Sequence, residues 1–269
     1  MSLWLAALLG LVQGLTEFIP VSSTAHLRIV SALTRHGDAG AAYTAVIQLG
    51  TLAAVLAYFA KDLVGLAGAM FREPSSPEGR LPLLIALGTV PIVITGLLLK
   101  RQIEGDLRSL YVIAAALIVI GLIMAAIDLR VGDRVGRGIA TLTFSDALLI
   151  GLAQTMALVP GVSRSGATIC MALLLGLARS DAARFSFLLS IPAIAGAGIL
   201  EARTAFVGLG SSAIPAIATG IGVAAVVGYA SIAWFLRWLG SHDLIGFAIY
   251  RILAGLALLG AVAAKLIAP

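Results

Sequence analysis

Long apolar runs separated by short polar segments form the main pattern of this chain. Four runs lack any charged residue, and they cover residues 41–60, 81–99, 109–127 and 204–236. Two weaker runs are shorter or contain Arg251, and they cover residues 185–200 and 244–264. About 20 helical residues, each rising 1.5 Å, cross the hydrocarbon core of a bilayer. The pattern therefore predicts an all-α polytopic membrane protein with about six full transmembrane helices.

Two further apolar segments, residues 8–25 and 149–166, resemble each other, and a proline interrupts each of them. A shift of 141 positions aligns the pairs Leu8/Leu149, Gly10/Gly151, Leu11/Leu152, Gln13/Gln154, Val21/Val162 and Ser22/Ser163. The surrounding segments, 3–34 and 145–178, could cross a bilayer twice only with short helices. We therefore expect two re-entrant helical hairpins, whose non-helical tips need protein or water around them.

The polar connector at residues 128–144 divides one integral membrane domain into two repeats. The first repeat covers residues 1–127 and the second covers residues 145–269, and each consists of a hairpin followed by three spans. Because three full spans separate the hairpins, the second hairpin enters from the opposite face. Such an inverted-topology repeat brings the two tips together near the midplane of the membrane.

Composition agrees with this picture and narrows the possible partners. The chain is 60% hydrophobic with a mean hydropathy of +1.07, which is too apolar for a soluble domain. Its formal net charge of +5 comes from basic residues scattered through short loops, so we expect no nucleic-acid partner. Glycine- and alanine-rich runs such as 220–228 favour close helix packing and permit a homodimer.

The distribution of basic residues predicts an orientation in the membrane. The loops predicted on one face hold nine Lys and Arg residues, and they cover 61–80, 128–145, 179–184 and 237–243. The other face holds six. Because cytoplasmic loops carry an excess of Lys and Arg, the first face is expected in the cytoplasm, with both termini outside.

The first tip, residues 13–26, concentrates polar groups inside apolar sequence. Its polar side chains include Gln13, Glu17, Ser22, Ser23 and His26. A carboxylate, an imidazole and hydroxyl groups can bind a hard cation through oxygen, or can pair a base with a nucleophile. The structural alternatives are that the hydroxyl groups only cap the second helix and that Glu17 pairs with Arg28.

The second tip, residues 160–168, combines an arginine with small residues. Arg164 is surrounded by Ser163, Ser165, Gly166 and Thr168. Small residues let backbone N–H groups approach an anion, and the N-terminus of the following helix adds a positive end. The guanidinium of Arg164 can bind phosphate oxygens through two hydrogen bonds. The alternative is that Arg164 pairs with Glu17 and only holds the tips together.

These motifs resemble the signatures of the undecaprenyl-diphosphate phosphatase family of bacterial inner membranes, the bacitracin-resistance type. The first stands here as QGLTE at 13–17, followed by FIPVSSTAHL, and the second as PGVSRSGATI at 160–169. The resemblance runs through nearly the whole chain. It implies hydrolysis of undecaprenyl diphosphate, a polyprenyl lipid, to undecaprenyl phosphate and inorganic phosphate, which recycles the lipid carrier for cell-wall synthesis. It also implies a divalent cation, Mg²⁺ or Ca²⁺, and an active site in the inner membrane that faces the periplasm.

The resemblance also implies roles for particular residues. The expected catalytic residues are Glu17, Ser23, His26 and Arg164. The expected phosphate-binding residues are Ser22, Ser163, Ser165, Gly166 and Thr168. Glu17 is expected to hold the metal with Gln13, which stands where many relatives have a glutamate.

Three questions stay open at this point. The nucleophile could be Ser23, His26 or a water molecule. Arg251 could assist a phosphate or pair with a carboxylate. The rival function is a prenyl-phosphate transporter or flippase, because secondary transporters also use inverted repeats with broken helices.

Overall fold

The protein is predominantly helical in the part of the chain that the structure, a computed structural model, describes. That part comprises residues 1–34, 40–132, 135–209 and 213–267, and it contains no β-strand. Its helices are α1 (Leu3–Thr16), α2 (Ser23–Leu33), α3 (Gly40–Tyr58), α4 (Ala60–Arg72), α5 (Pro77–Leu98), α6 (Lys100–Glu104), α7 (Leu110–Val131), α8 (Phe144–Thr155), α9 (Arg164–Leu174), α10 (Arg179–Leu209), α11 (Ile214–Leu239) and α12 (Ile245–Ala263).

Several of these helices have the length and composition of membrane spans. Among the described residues, α5, α7, α11 and α12 are each long and apolar enough to cross a bilayer. The pair α3 and α4 bends by 69° at its break and would make a fifth span if the two were counted together. The prediction of an all-α polytopic membrane protein is therefore confirmed, with four or five candidate spans in the described chain.

Two segments predicted as loops are largely helical. The segment 61–80 contains most of α4 and the start of α5, and 179–184 is the first part of α10. Charges suggested loops there, but these charges suit helix ends: Asp62 lies in the first turn of α4 and Arg72 in its last turn. Arg179, at the start of α10, bonds to the buried carboxylate of Asp128 at 2.9 Å. Charge alone therefore does not mark a loop in this chain.

The first helix of each interrupted segment packs closely against another helix. Helix α1 packs against α11, and α8 packs against α5. A Cβ on Gly10 would lie 2.5 Å from the carbonyl oxygen of Gly220, and a Cβ on Gly151 would lie 2.3 Å from that of Gly88. Both crossings therefore require glycine, and the aligned glycines make the same kind of contact.

Candidate active site

Both tips turn at a serine with an unusual backbone conformation. Ser22 has a φ of 75° and Ser163 a φ of 73°, values that residues other than glycine rarely adopt. In the described chain, Lys265 is the one other non-glycine residue with a positive φ. The Oγ of Ser22 accepts a hydrogen bond from the N–H of Ala25 at 3.5 Å, and that of Ser163 accepts one from Gly166 at 3.1 Å. The aligned serines therefore cap α2 and α9 in the same way.

The carboxylate of Glu17 joins the two tips. Its Oε2 accepts hydrogen bonds from Gln13 Nε2 at 2.7 Å and from Ser23 Oγ at 2.6 Å. Its Oε1 forms an ion pair with the guanidinium of Arg164. Glu17 is buried, with 7% of its surface exposed. Because Ser23 and Arg164 occupy aligned positions, the two tips each direct a donor at the same carboxylate.

The remaining polar groups of the second tip bond within the protein. The Ser165 hydroxyl lies 3.1 Å from that of Ser163 and donates to the carbonyl of Ile19, in the first tip, at 3.3 Å. Thr168 is fully buried and bonds to its own helix and to α10. The N–H of Gly166 is used by the cap of α9. These groups therefore shape the tip and do not face open space.

A cavity of about 390 Å³ lies against the tips. From the tips it is lined by Glu17, Ser22, Ser23, Ser163 and Arg164. Further polar lining comes from Thr44, Gln48, Lys100 and Arg108. Apolar lining comes from α5 and α10, including Val93, Leu97, Ala193 and Ala197. One cavity with a charged end and an apolar wall suits an amphipathic ligand with an anionic head group.

Three of the cavity residues, Gln48, Lys100 and Arg108, were not predicted from the sequence. Gln48 interrupts the apolar run 41–60, and an amide inside a membrane span is a signal that could have singled it out. Lys100 and Arg108 follow the end of a predicted span and look like ordinary loop charges. Their place beside the same cavity as Glu17 results from tertiary packing, which spacing along the chain does not reveal.

The imidazole of His26 does not line the cavity. Its Nδ1 is 2.8 Å from the carbonyl oxygen of Ser22, and a carbonyl only accepts, so Nδ1 carries a proton. In the neutral ring Nε2 is then an acceptor, and it lies 2.7 Å from the hydroxyl of Tyr250 on α12. Both ring nitrogens of His26 are thus engaged by protein groups.

Arg251 of α12 contacts both tips through backbone carbonyls. Its Nη1 donates to Pro20 at 2.9 Å, and its Nη2 donates to Gly161 at 2.7 Å and to Val162 at 2.9 Å. The side chain is fully buried. Of the two roles suggested by the sequence, pairing with a carboxylate does not occur among the described residues, and Arg251 does not line the cavity. Pro20 and Gly161 are aligned positions of the two tips.

The first tip offers oxygen ligands for a hard cation. Gln13 is fully buried, and its Oε1 has no hydrogen-bond partner in the described chain. The described residues contain no cluster of three or more His, Cys, Asp and Glu that could hold a metal. Magnesium at phosphate sites is often bound by one or two carboxylates and completed by substrate phosphates and water. The carboxylate of Glu17 fits that kind of site at the cavity, and the unpartnered amide oxygen of Gln13 is a further ligand beside it, although Gln13 itself does not line the cavity.

Comparison with known proteins finds relatives over nearly the whole chain. The family model described as "Bacitracin resistance protein BacA" matches residues 6–257. The chain is 47% identical to an undecaprenyl-diphosphatase of Prosthecochloris aestuarii over 98% of both proteins. It is 49% identical to one of Myxococcus xanthus, covering 96% of this chain and 89% of the relative, and 49% identical to one of Paenarthrobacter aurescens over 94% of both.

These matches confirm the resemblance that the two motifs carry. The family model extends through both aligned segments, 8–25 and 149–166, and through every candidate membrane span of the described chain except the end of α12. The chain belongs to the BacA family of bacitracin resistance proteins.

Proposed function

We propose that this protein hydrolyses undecaprenyl diphosphate to undecaprenyl phosphate and inorganic phosphate, recycling the lipid carrier for cell-wall synthesis. The chain matches relatives over nearly their full length, and these relatives carry the name undecaprenyl-diphosphatase. The observation that carries the proposal is the Glu17 carboxylate, bonded to Ser23 and Arg164 beside one amphipathic cavity. A lipid flippase could use Arg164 but has no need of a hydroxyl bonded to a carboxylate, so hydrolysis is favoured.

The same proposal includes the arrangement in the membrane. Residues 1–127 and 145–269 form the inverted repeats, 128–144 connects them, and 3–34 and 145–178 are the re-entrant hairpins among about six spans. The matched glycine crossings of Gly10 and Gly151 and the matched backbones of the tips support a duplicated unit. The protein lies in the inner membrane with its cavity open to the periplasm.

In the proposed mechanism the second tip and the cavity wall bind the diphosphate. Arg164 uses the guanidinium N–H groups that remain beside its Glu17 partner. The first N–H groups of α9, at Arg164 and Ser165, have no acceptor within the helix and favour an anion. Lys100 and Arg108 add positive charge on the wall, and Gln48 adds a neutral donor. Phosphoryl transfer depends mainly on such positioning and charge stabilisation.

Ser23 is the proposed nucleophile. Its hydroxyl already donates to Glu17 at 2.6 Å, so the carboxylate can take the proton as Oγ attacks the terminal phosphorus. The new Oγ–P bond replaces the anhydride P–O bond, and undecaprenyl phosphate leaves. Water then attacks the phosphoserine, releases inorganic phosphate and restores the hydroxyl. A divalent cation, Mg²⁺ or Ca²⁺, held by Glu17 and Gln13, would neutralise phosphate oxygens.

His26 is proposed to act through the backbone. Because its Nδ1–H donates to the carbonyl of Ser22, it orients the turn that presents Ser23. Ser22 and Ser163 face the cavity and can contact phosphate oxygens. Ser165, Gly166 and Thr168 support the shape of the second tip, since their hydrogen bonds run inside the protein.

Phosphate release in detergent tests the function. The purified protein should release inorganic phosphate from a prenyl diphosphate when Mg²⁺ or Ca²⁺ is added, and chelation should reduce the rate. Absence of release with every divalent cation tried would overturn the proposed activity. Acid-quenched turnover should trap a phosphate on Ser23, detected by mass spectrometry of the peptide. Near-normal activity of Ser23→Ala would rule out serine attack.

A further inference from the structure

The position of Arg251 suggests a role beyond helix packing. A fully buried guanidinium is costly unless hydrogen bonds satisfy it. Arg251 has no carboxylate partner in the described chain and instead bonds to three carbonyls, at Pro20, Gly161 and Val162. These carbonyls lie in the non-helical parts of the two tips, where the backbone has no helical partner for them.

The hydrogen bonds of Arg251 link helix α12 to both tips. Pro20 comes three residues before Ser23, and Gly161 comes three residues before Arg164. One side chain of α12 thus holds equivalent points of the two tips, immediately upstream of the two donors to Glu17. The other described side-chain bonds between the tips are the Arg164–Glu17 pair and the weak bond from Ser165 to Ile19 at 3.3 Å.

The bond to Val162 also orients the second tip's backbone. The peptide bonds here are trans, so the N–H of Ser163 points opposite to the carbonyl of Val162. Since that carbonyl points at Arg251, the N–H of Ser163 points away from it. Ser163 lines the cavity, whereas Arg251 does not. Arg251 can therefore influence the anion-binding face of the tip without touching a ligand.

We propose that Arg251 is a positioning residue that fixes the spacing of the two tips and so keeps Ser23 and Arg164 on either side of Glu17. The inference rests on the proposed phosphatase activity, because its consequence is measured as turnover. A displacement of about 1 Å in a reacting group can cost about 100-fold in rate. Arg251 does not line the cavity, so its substitution removes no side chain that would contact the substrate.

The test compares Arg251→Met, Arg251→Lys and Arg251→Ala with the wild type. We expect Arg251→Met to lower kcat about 100-fold and to raise KM by a smaller factor, because the tips shift with their reacting groups whereas Lys100 and Arg108 stay on the cavity wall. Arg251→Lys should recover part of kcat, since an ammonium can still bond to some of the carbonyls. Free guanidinium at low millimolar concentration should partly restore Arg251→Ala. Arg237→Met is the matched control, because Arg237 is an exposed arginine of α11 away from the tips.

The outcomes distinguish positioning from folding and from the proposed function. Every rate is expressed per monodisperse, folded molecule, with the unfolding temperature measured in parallel. Normal kcat in the folded fraction of the Arg251 variants would overturn the inference, as would failure of both Arg251→Lys and Arg251→Met to fold, since Arg251 would then serve folding alone. A wild type that hydrolyses no prenyl diphosphate would instead remove the proposed function.

Discussion

The two tips share one backbone and carry different chemistry. Gln13 in the first tip and Gln154, at the aligned position before the second tip, are both fully buried. Each tip has a serine with φ near 75° as the cap of its second helix. At aligned positions the first tip has Glu17 where the second has Leu158, and Ser23 where the second has Arg164. The differing residues all line the cavity, and the shared serines line it as well while they cap the second helix of each tip.

This comparison explains why one carboxylate is enough to link the tips. Ser23 and Arg164, at aligned positions, donate to opposite oxygens of Glu17. A second carboxylate at position 158 would have to share the site with the first, and two adjacent carboxylates repel each other. The two tips are therefore complementary, because the first supplies the acceptor and the second supplies the cation.

The largest expected effect comes from removing the charge that the tips share. Glu17→Gln is expected to lower kcat by about 10³- to 10⁴-fold, because the proposed base for Ser23 and the partner of Arg164 are lost together. Steady-state phosphate release measures the effect. Glu78→Gln, an exposed carboxylate in the first turn of α5, serves as the control and should keep normal activity. Activity of Glu17→Gln within tenfold of the wild type would contradict the central role of Glu17.

A smaller loss is expected when lysine replaces Arg164, because the positive charge remains but the planar guanidinium is lost. Arg164→Lys should lower kcat/KM by about 100-fold, since an ammonium cannot pair with Glu17 and bind phosphate oxygens through two parallel bonds at once. Arg184→Lys is the matched control, because the surface pair of Arg184 with Asp62 at 2.7 Å contributes little. Equal activity of Arg164→Lys and the wild type would show that only the positive charge of Arg164 matters.

The glycine crossings test whether the two proposed repeats are equivalent outside the site. Gly10→Ala and Gly151→Ala should each destabilise the protein by about 1–3 kcal/mol, because the new Cβ meets a backbone carbonyl that has no room to move. Thermal unfolding in detergent measures both. Gly246→Ala, an exposed position of α12 with open space around it, should be neutral or slightly stabilising. A large loss at only one of the two glycines would show that the repeats pack differently.

Most of the fold was predictable because the membrane restricts the choice of structure. Apolar runs of about 20 residues leave little alternative to a helix, and each of the six predicted runs contains or overlaps a helix. The alignment of the interrupted segments also anticipated the shared turn at Ser22 and Ser163. The segments around α4 and the start of α10 were mispredicted, because charges at helix ends resemble loop charges.

The site was less predictable where packing brings distant residues together. Arg164 and Glu17 carry a clear signal, since charges inside apolar segments are rare. Arg251 carried the same signal. Its carbonyl partners lie 231 and 90 positions away in the sequence, so residue spacing could not identify them. His26 followed the motif, but the carbonyl and hydroxyl that engage its two nitrogens become visible only in three dimensions.

The smallest expected effect concerns the backbone that the tips share. Alanine at Ser22 or Ser163 would keep the positive φ and lose the capping oxygen, which should cost about 1 kcal/mol of stability. Glycine loses the same oxygen but adopts a positive φ without strain, so its cost should be only a few tenths of a kcal/mol. Unfolding temperatures of the four variants should therefore rank glycine above alanine at both positions. If alanine matched glycine at one serine but not at the other, the tips would differ in backbone strain, and their likeness would be confined to sequence.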